Sequence, residues 1–471
     1  MDQYVSENIK KENTARNKMF AVESVHFLIT ILLFYFTFLL FRYQKLSSVT
    51  SRGFRYNYFV TIGYAFCLVF FNRTYNSYLF GYSRVRSLVF SMWLSQFFSA
   101  AIIYFAVCIG WNQYHSPGLF ILLVTVVYIP LDVIWAYFGN KYYYKTHPPK
   151  KTILIYRNER DRRRLGYMTG KPTERLYHVE KEIQFDGSFS EIRDELEGYE
   201  AVFAAGINSR CRNGILKHCE ENNVYGFFLP HVGDMIMQGA EHIHVYDSPV
   251  LMVKRKVVNP EYRAIKRFFD FVLSLLGLII LSPIFIITAL AIKLYDRGPV
   301  FYKQVRLTKD GKEFEIIKFR SMRVDAENDG VARLSSGEND PRITPVGKIV
   351  RKCRLDELPQ LINILKGDMS IVGPRPERPE IAEKYYKNIP DFKLRLQVKA
   401  GLTGYAQVYG KYNTDPYEKL EFDLLYINNM SIFTDLQLMF ATFSILFAPE
   451  STEGIGEGQV TALDYEDSAE S

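Results

Sequence analysis

The chain has 471 residues, a formal net charge of +7, 48% hydrophobic residues and 15% aromatic residues. This hydrophobic fraction excludes a globally disordered chain, which requires low hydrophobicity and high net charge. The mean hydropathy of -0.07 is too polar for a transporter embedded entirely in the membrane. The composition therefore predicts several folding units, some in a membrane and some in water.

The cysteine and histidine positions exclude several kinds of site. The five cysteines are scattered and form no Cys-x-x-Cys pair, so neither a disulfide framework nor a zinc site is predicted. No histidine follows His244, which excludes Ser-His-Asp hydrolysis and HExxH metalloprotease chemistry from the C-terminal half. Residues 449–471 carry acidic but no basic side chains, which is typical of a disordered tail.

Four apolar runs predict a four-helix transmembrane unit over residues 25–140, preceded by a cytoplasmic segment over 1–24. The runs cover 25–41, 58–71, 88–109 and 119–138. A spanning helix needs roughly 20 apolar residues, so the third and fourth runs qualify, whereas the second could be interfacial. The flanks on one side carry 11 Lys and Arg residues and those on the other carry 4, which places both ends of the unit in the cytoplasm. Asp132 in the fourth run marks either a transport path or a structural contact between helices.

Short strand-like and helix-like segments alternate over residues 150–255 and predict a Rossmann-like α/β domain. The candidate strands are 152–156, 177–182, 201–205, 224–229 and 250–253. A dinucleotide site would need glycines after the first strand, but Arg157, Asn158 and Glu159 stand there. A structural or oligomerising role is therefore preferred over a regulatory nucleotide site.

A further apolar run at 268–294 predicts a re-entrant membrane hairpin over residues 266–295. Ser282 and Pro283 lie in its middle, where proline breaks a helix. Basic residues flank both ends of the run, and both ends should therefore face the cytoplasm. These flanking residues are Lys266, Arg267, Lys293 and Arg297. The alternative is an ordinary kinked span.

Adjacent carboxylates in a basic surrounding indicate phosphate chemistry in the C-terminal part of the chain. Asp356 and Glu357 are neighbours, and Arg375 lies between two prolines that stiffen its backbone. A carboxylate can attack phosphorus to form an acyl phosphate, and a second carboxylate can hold Mg²⁺, which prefers oxygen ligands. Guanidinium groups match phosphate oxygens.

Several motifs in order resemble the polyprenyl-phosphate glycosyl-1-phosphate transferases of the bacterial sugar transferase family. The resemblance runs from about Lys266 to Phe447 and implies a mostly α-helical catalytic domain over residues 263–448 that contains the hairpin. The matching segments are Lys266-Arg267 with Asp270, Ser282-Pro283, KFRSM at 318–322, DELPQ at 356–360, GDMSIVGPRP at 367–376 and GLTGYAQ at 401–407. The N-terminal membrane unit with its glycine-poor α/β domain also resembles the large family members.

The resemblance implies a role for each polar residue. Asp356 would attack the β-phosphate of a UDP-sugar, release UMP and pass the phosphosugar to undecaprenyl phosphate. Glu357 would hold Mg²⁺, and Arg375 would bind phosphate. Further substrate contacts are expected at Arg351, Arg320 and Lys318. Asp423 and Asp435 match family positions to which no role is assigned.

The expected setting is a homodimer in the bacterial plasma membrane, with the catalytic domain on the cytoplasmic face at the start of exopolysaccharide, capsule or O-antigen synthesis. UDP-glucose or UDP-galactose is the favoured donor, and a UDP-N-acetylhexosamine is the alternative. No nucleic-acid partner is expected. A non-enzymatic scaffold would leave the charged cluster unexplained. A nucleotide-sugar dehydratase would need glycines beside its Tyr-xxx-Lys, and Tyr262 with Lys266 lacks them.

Overall fold

The computed structural model describes residues 2–43, 51–111, 117–170, 173–255, 258–324, 326, 340, 342–410 and 415–446. The predicted acidic tail at 449–471 lies outside the described residues. The chain separates into two compact units, Met1–Leu229 (unit 1) and Pro230–Ser471 (unit 2). The fold is a mixture of α and β structure in which helices predominate.

Unit 1 begins with four long helices. They are α1 (Asp2–Tyr43), α2 (Ser51–Thr74), α3 (Val85–Trp111) and α4 (Pro117–Thr146). Within the described residues of unit 1, Lys10–Leu40 and Val85–Ile109 are long and apolar enough to cross a membrane. The side chains of 110–123, which include the start of the predicted fourth run, lie outside the described residues. Residues 2–24, within the segment predicted to be cytoplasmic, form the beginning of α1, so the first helix extends well beyond its apolar run.

Several polar side chains are buried between these helices, and many apolar side chains are exposed on their outer faces, a pattern suited to helices in lipid. Asp132 is fully buried, and its Oδ1 accepts a hydrogen bond of 2.9 Å from Gln96 and lies 3.2 Å from His26 Nε2. Asp132 thus makes a structural contact between helices. The exposed side chains include Leu32, Phe36, Leu40, Phe66, Phe105 and Ile109.

An α/β layer follows in the same unit and carries a parallel sheet. The strands are β1 (Lys150–Tyr156), β2 (Tyr177–Gln184), β3 (Ala201–Ala205) and β4 (Tyr225–Phe228), in the order β2-β1-β3-β4. The helices are α5 (Glu159–Thr169), α6 (Phe189–Ile192) and α7 (Ser209–Asn222). Alternate side chains of β1 and β3 enter two clusters, one with Leu165 of α5 and one with Ile215 of α7. The four predicted sheet strands at 152–156, 177–182, 201–205 and 224–229 are therefore present.

The fifth predicted strand at 250–253 does not join this sheet. It belongs to β6 (Ser248–Met252), which pairs antiparallel with β5 (Glu241–Val245) in unit 2. Local alternation looks the same in a hairpin and at a sheet edge, so the sequence pattern could not assign the strand's partner.

Unit 2 combines short strands with helices. The remaining strands are β7 (Phe301–Leu307), β8 (Glu313–Phe319), β9 (Ser370–Val372) and β10 (Gly401–Thr403). The remaining helices are α8 (Val232–Gln238), α9 (Pro260–Ile280), α10 (Ser282–Asp296), α11 (Pro345–Lys352), α12 (Gln360–Lys366), α13 (Pro379–Asn388), α14 (Tyr405–Val408), α15 (Pro416–Asn428) and α16 (Ile432–Leu446). The pairs β7-β8 and β9-β10 are antiparallel and parallel respectively.

The helices α9 and α10 form a bent pair with an angle of 62°. The break lies at Leu281, and Ser282 and Pro283 open the second helix, where a missing N–H costs no helical hydrogen bond. Asp270, Ser274 and Thr288 of this pair are buried. Apolar side chains are exposed on both helices: Phe268, Ile279, Ile280, Ile286, Ile287 and Leu294. An exposed apolar surface of this kind is suited to contact with lipid.

Candidate active site

A tight turn after α11 presents the two adjacent carboxylates. Thr344 caps α11 by accepting a hydrogen bond of 2.9 Å from the Gly347 N–H. After the helix ends, Arg354 has a φ of +50°, and a 3₁₀ turn follows over Leu355–Glu357. Successive residues of a 3₁₀ turn point about 120° apart, so Asp356 and Glu357 face different surroundings.

Two cations hold Glu357. Its Oε1 accepts a hydrogen bond of 2.7 Å from Arg375 Nη2 and lies 3.4 Å from Lys318 Nζ. Burial by itself opposes ionisation of Glu357, but Arg375, Lys318 and Arg354 outweigh that effect and hold the pKa of this carboxyl far below its ordinary range. Glu357 is therefore a carboxylate at every physiological pH.

The surroundings of Asp356 shift its pKa in the opposite direction from that of Glu357. Burial, followed by the negative charge of Glu357, raises its pKa to about 6, although Lys318, Arg351 and Arg375 act in the other direction. Among the described residues, no hydrogen-bond donor occupies the Asp356 carboxyl group. Its oxygens are thus available to a substrate, whereas Glu357 is fixed by its partners.

Lys318 reaches the carboxylates because α12 fixes strand β8. The Asn363 side chain of α12 accepts a hydrogen bond of 2.9 Å from the Ile317 N–H and donates one of 2.7 Å to the Glu315 carbonyl. Burial lowers the pKa of Lys318, and Glu357 opposes this effect. A partly desolvated ammonium beside the turn can meet a substrate phosphate.

The segment around Arg375 is held through its backbone carbonyls. Pro374 and Pro376 have no N–H, yet the four consecutive carbonyls of residues 374–377 all accept hydrogen bonds of 2.8 to 3.1 Å. The donors, in order, are Gly401 N–H, Arg395 Nη2, Arg306 Nη1 and Leu307 N–H. This arrangement gives Arg375 a rigid backbone while 42% of its side chain stays exposed.

Asp423 stabilises the Arg375 segment through its ion pair with Arg395. Arg395 is 3% exposed and forms an ion pair of 2.7 Å with Asp423, and its Nη1 lies 3.5 Å from Glu377. Burial raises the pKa of Asp423 to about 6, and Arg395 limits the rise. Sequence patterns assigned no role to Asp423 and did not single out Arg395 or Arg306, because a contact between a guanidinium and a distant carbonyl leaves no local pattern.

Close backbone packing explains two motif glycines. A Cβ on Gly373 would overlap the Lys399 carbonyl, and a Cβ on Gly401 would overlap the backbone of Gly373. Strands β9 and β10 therefore meet only because both positions are glycine. Their pairing leads directly into the Arg375 segment.

The polar residues predicted for the membrane hairpin bind elements of unit 2. Arg267 donates to the carbonyls of Ile364 and Leu365 at the end of α12, at 2.6 and 2.7 Å. Asp270 accepts hydrogen bonds from Ser370 Oγ and from the Ile371 N–H at the start of β9.

Lys266 contributes a third attachment through an ion pair of 2.8 Å with Asp435 of α16. Asp435 also accepts hydrogen bonds of 2.7 and 2.8 Å from the Tyr262 and Tyr426 hydroxyl groups. Asp435 therefore holds α9 against α16. The first helix of the bent pair is attached to the elements that carry the site.

The two remaining predicted substrate contacts, Arg320 and Arg351, differ in position. Arg320 is buried, pairs with Asp296 at the end of α10 and packs against Gly298. Arg351 lies in the last turn of α11, and its charge acts on Asp356. The structure thus joins Asp356, Glu357, Lys318, Arg351 and Arg375, and it places Arg320 in a separate ion pair.

The donor set fits Mg²⁺ held by substrate phosphates and few protein ligands. Among the described residues, no group of three or more His, Cys, Asp or Glu side chains converges. Mg²⁺ usually binds through one or two carboxylates together with phosphates and water. Glu357, which stays ionised, would be such a carboxylate.

The comparisons with known proteins identify the same region. Residues 261–449 match the model of the family described as bacterial sugar transferase. An Escherichia coli (strain K12) protein named UDP-glucose:undecaprenyl-phosphate glucose-1-phosphate transferase is 42% identical over 225 residues, which are 47% of this chain and 46% of that protein. An Aeromonas hydrophila protein named UDP-N-acetylgalactosamine-undecaprenyl-phosphate N-acetylgalactosaminephosphotransferase is 41% identical over 187 residues, 39% of this chain and 44% of that protein.

A Bacillus subtilis (strain 168) protein is matched over a larger share of its own length. It carries a provisional name as an undecaprenyl-phosphate N-acetylgalactosaminyl 1-phosphate transferase, and it is 47% identical over 135 residues, 29% of this chain and 74% of that protein. The match spans somewhat under half the length of the Escherichia coli and Aeromonas relatives. Residues 261–449, which the family model matches, contain the turn with Asp356 and Glu357, the Arg375 segment and, except for Pro260, the bent pair of α9 and α10. The chain belongs to the bacterial sugar transferase family.

Proposed function

We propose that this protein transfers a hexose-1-phosphate from a UDP-sugar to undecaprenyl phosphate and releases UMP. The observation that carries the proposal is that two neighbouring carboxylates have different partners and different pKa values. Glu357 is held by Arg375 and Lys318, whereas Asp356 has a raised pKa and accessible oxygens. This arrangement suits a nucleophile beside a phosphate-binding cluster.

The reaction would proceed in two displacements at one phosphorus atom. In the first, an Asp356 carboxylate oxygen bonds to the β-phosphorus, and the bond from that phosphorus to the bridging oxygen breaks, so UMP leaves with the electron pair. In the second, a phosphate oxygen of undecaprenyl phosphate bonds to the same phosphorus and the bond to Asp356 breaks. The aspartate is regenerated, and the product is an undecaprenyl-diphosphate sugar.

The cationic residues would bind and orient the phosphates. Arg375 and Lys318 can shift from Glu357 to the incoming diphosphate, and Arg351 lies close enough to act on Asp356. Guanidinium groups stabilise charge that develops on phosphate oxygens. Mg²⁺ held by Glu357 would supply further neutralisation of the diphosphate.

The bent pair α9–α10 would be a re-entrant hairpin that enters and leaves by the cytoplasmic leaflet of the bacterial plasma membrane. The bend of 62°, the exposed apolar faces and the basic residues at both ends support this topology. Such a hairpin would place the site at the leaflet where the lipid phosphate lies. The function would then be the first membrane step of exopolysaccharide, capsule or O-antigen synthesis, and a homodimer stays a prediction from the family resemblance.

The donor is proposed to be UDP-glucose or UDP-galactose. A UDP-N-acetylhexosamine is the second candidate, because the Aeromonas and Bacillus relatives are named for N-acetylgalactosamine.

The test is nucleotide release by the purified full-length protein with undecaprenyl phosphate, Mg²⁺ and a panel of UDP-sugars. We expect UMP from one donor and a loss of about a thousandfold or more in Asp356→Asn. Intact-protein mass measured without acceptor should show a phosphosugar adduct that Asp356→Asn lacks. The matched control is Asp391→Asn, which removes an exposed carboxylate and should retain turnover.

Two outcomes would contradict the proposal. Release of UDP would indicate ordinary glycosyl transfer. Full turnover in excess chelator would exclude the role of Mg²⁺.

A further inference from the structure

A large groove lies in unit 1, outside the sugar transferase region. Its volume is about 2090 Å³, which exceeds the roughly 300–1,000 Å³ of ordinary small-ligand pockets. The groove is bounded by residues 10–18 of α1, the last turns of α4 and helix α7. It can therefore hold a large or extended ligand.

The groove opens at the amino edge of the parallel sheet. Lys150 begins β1, Glu200 precedes β3 and Val224 precedes β4, and all three line the groove. Parallel α/β sheets ordinarily bind dinucleotides beyond the carboxyl ends of their strands. The groove is thus on the opposite edge from a dinucleotide crevice, which agrees with the missing glycine fingerprint.

Positive charge converges on the groove from both sides. Lys10, Lys11, Lys18 and Lys145 come from the helix ends, and Arg193, Arg210 and Lys217 come from the α/β layer. Within the part of the chain that the structure describes, none of these seven residues forms an ion pair. Lys150 is the eighth cation of the lining, and it pairs with Glu12 at 3.2 Å. Four glutamates line the groove, so the cations outnumber the anions by two to one.

We propose that this groove binds phosphate groups, carried either by an anionic lipid at the membrane surface or by a soluble phosphate compound. Unpaired Lys and Arg side chains that face one cavity create a positive potential that an anion neutralises. Phosphate is the anion best matched to mixed guanidinium and ammonium donors. The groove belongs to unit 1, so the inference does not rest on the chemistry proposed for unit 2.

The position of the groove favours access from the membrane surface. The apolar run of α1 begins at residue 25, after the groove residues of that helix, and the lining also includes Tyr142, Lys145, Thr146 and His147 at the end of α4. Exposed aromatic side chains follow on the same helices, with Phe20 on α1 and Tyr137 and Phe138 on α4. Aromatic residues of this kind are enriched at the level of lipid headgroups, and basic pockets beside membrane helices bind anionic headgroups.

Two histidines provide local reporters. Burial and the nearby Lys150 lower the pKa of His147, and burial and Arg193 lower that of His218. A bound phosphate would offset the lysine and arginine charges. The pKa of both histidines, measured by NMR of histidine-labelled protein, should therefore rise when the groove is filled.

The experiment is calorimetric titration of the full chain in neutral detergent at low salt. One probe is dihexanoyl phosphatidylglycerol, and the other is inorganic pyrophosphate. The groove variant is Lys145→Gln with Lys217→Gln, and both of these side chains are exposed. The matched control is Lys141→Gln with Arg163→Gln, which removes the same charge from exposed positions of α4 and α5 outside the groove lining.

We expect the groove variant, which lacks two cations, to bind at least one probe about 25-fold more weakly than the natural chain, because each lost cation weakens binding roughly fivefold. The control variant should bind as the natural chain does. A loss confined to phosphatidylglycerol identifies a lipid ligand, a loss confined to pyrophosphate identifies a soluble one, and a loss of both indicates a general phosphate site. Phosphate contacts in unit 2 are the same in all variants and cannot produce the difference.

Equal affinities of the natural chain and the groove variant for both probes would overturn the proposal, as would equal weakening by the control variant. Thermal unfolding of each variant checks that the comparison is between folded proteins. Dihexanoyl phosphatidylcholine, which has no net charge, should show no dependence on Lys145 and Lys217. Dependence of that probe on the same two residues would mean that the groove recognises acyl chains and not phosphate charge.

Discussion

At the scale of single residues, the site depends on how neighbours divide between two carboxylates. Asp356 and Glu357 are adjacent in sequence, yet the 3₁₀ turn directs only Glu357 onto Arg375 and Lys318. The cations stabilise the negative charge of Glu357, and that charge in turn makes ionisation of Asp356 harder. The same cationic cluster therefore keeps Glu357 ionised and leaves Asp356 with a pKa of about 6.

The raised pKa of Asp356 predicts a pH dependence of UMP release. The nucleophile is the ionised form, so the reactive fraction falls as the pH falls through about 6. We expect the single-turnover rate constant to be level above pH 7 and to fall about tenfold per pH unit well below 6. The measurement omits the lipid acceptor, so that ionisation of its phosphate does not contribute.

Asp423 also has a pKa of about 6 and could produce a similar profile. Repeating the pH series in Asp423→Asn separates the two groups. An unchanged profile assigns the titration to Asp356, whereas loss of the pH dependence would assign it to Asp423.

The buried pair of Arg395 and Asp423 predicts a large stability effect. Asp423→Asn would leave the Arg395 charge without its nearest partner in a buried position. Breaking a buried pair costs about 3 kcal/mol or more, which for a unit of this size lowers the unfolding midpoint by roughly 6–12 °C. The measurement is thermal unfolding in detergent.

The comparison variant is Glu315→Gln, which breaks an ion pair with Lys303 in which both side chains are more than half exposed. An exposed pair contributes little, so the midpoint should move by less than about 2 °C. Equal shifts of the unfolding midpoint in the two variants would show that the buried pair of Arg395 and Asp423 stabilises the protein no more than an exposed pair does.

Sequence patterns predicted several polar residues that the structure brings together, and they missed contacts between residues that are distant in sequence. Asp356, Glu357, Lys318 and Arg375 stand in dense polar motifs, and the structure brings them together. Arg395 holds a carbonyl 20 residues away, and neither partner is unusual in its own neighbourhood. Arg320 stands in a dense motif as well, but it pairs with Asp296, so motif membership alone did not predict location.

At the scale of elements, the bent helix pair connects membrane-suited surface to the site. Its first helix, α9, reaches α12, β9 and α16 through Arg267, Asp270 and Lys266. Its outward side chains are apolar. The break was predictable because Ser282-Pro283 disfavours a continuous helix, whereas the partners of α9 were not, because periodicity shows only which face is polar.

The re-entrant topology predicts that both ends of the pair lie on one side of the membrane. Single cysteines replace Glu261, just inside the start of α9, or Lys312, after α10, in a chain whose native cysteines are changed to alanine. In spheroplasts, neither cysteine should react with a membrane-impermeant maleimide, and both should react after lysis. A cysteine at Gln113, in a loop that the positive-inside rule places outside, is the positive control.

The alternative of a kinked span makes the opposite prediction for one position. The cysteine at Lys312 would then react in intact spheroplasts, while the cysteine at Glu261 would not. That pattern would also place the candidate site outside the cytoplasm and remove it from UDP-sugars.

At the scale of the whole molecule, the chain divides its tasks between two units. The contacts that arrange Asp356, Glu357 and Arg375 all lie in unit 2, whereas the phosphate-binding groove proposed here lies in unit 1. The Bacillus relative has 74% of its length in a match of 135 residues, so most of that protein corresponds to 29% of this chain. The change from apolar runs to alternating strands lies near residue 150, inside unit 1, so it did not indicate the division at Leu229 and Pro230, and the fifth strand was placed with the wrong partner.

This division predicts that unit 2 carries the chemistry alone. A chain starting at Pro230 retains every described contact of the site. Its UMP release in detergent, with donor, Mg²⁺ and undecaprenyl phosphate, should stay within about tenfold of the full chain, a change of less than about 1.4 kcal/mol in the barrier. The truncated Asp356→Asn chain is the control for background release. A truncated protein that is folded by circular dichroism but releases no UMP would show that unit 1 completes the site, and the catalytic cluster would then have to include residues from both units.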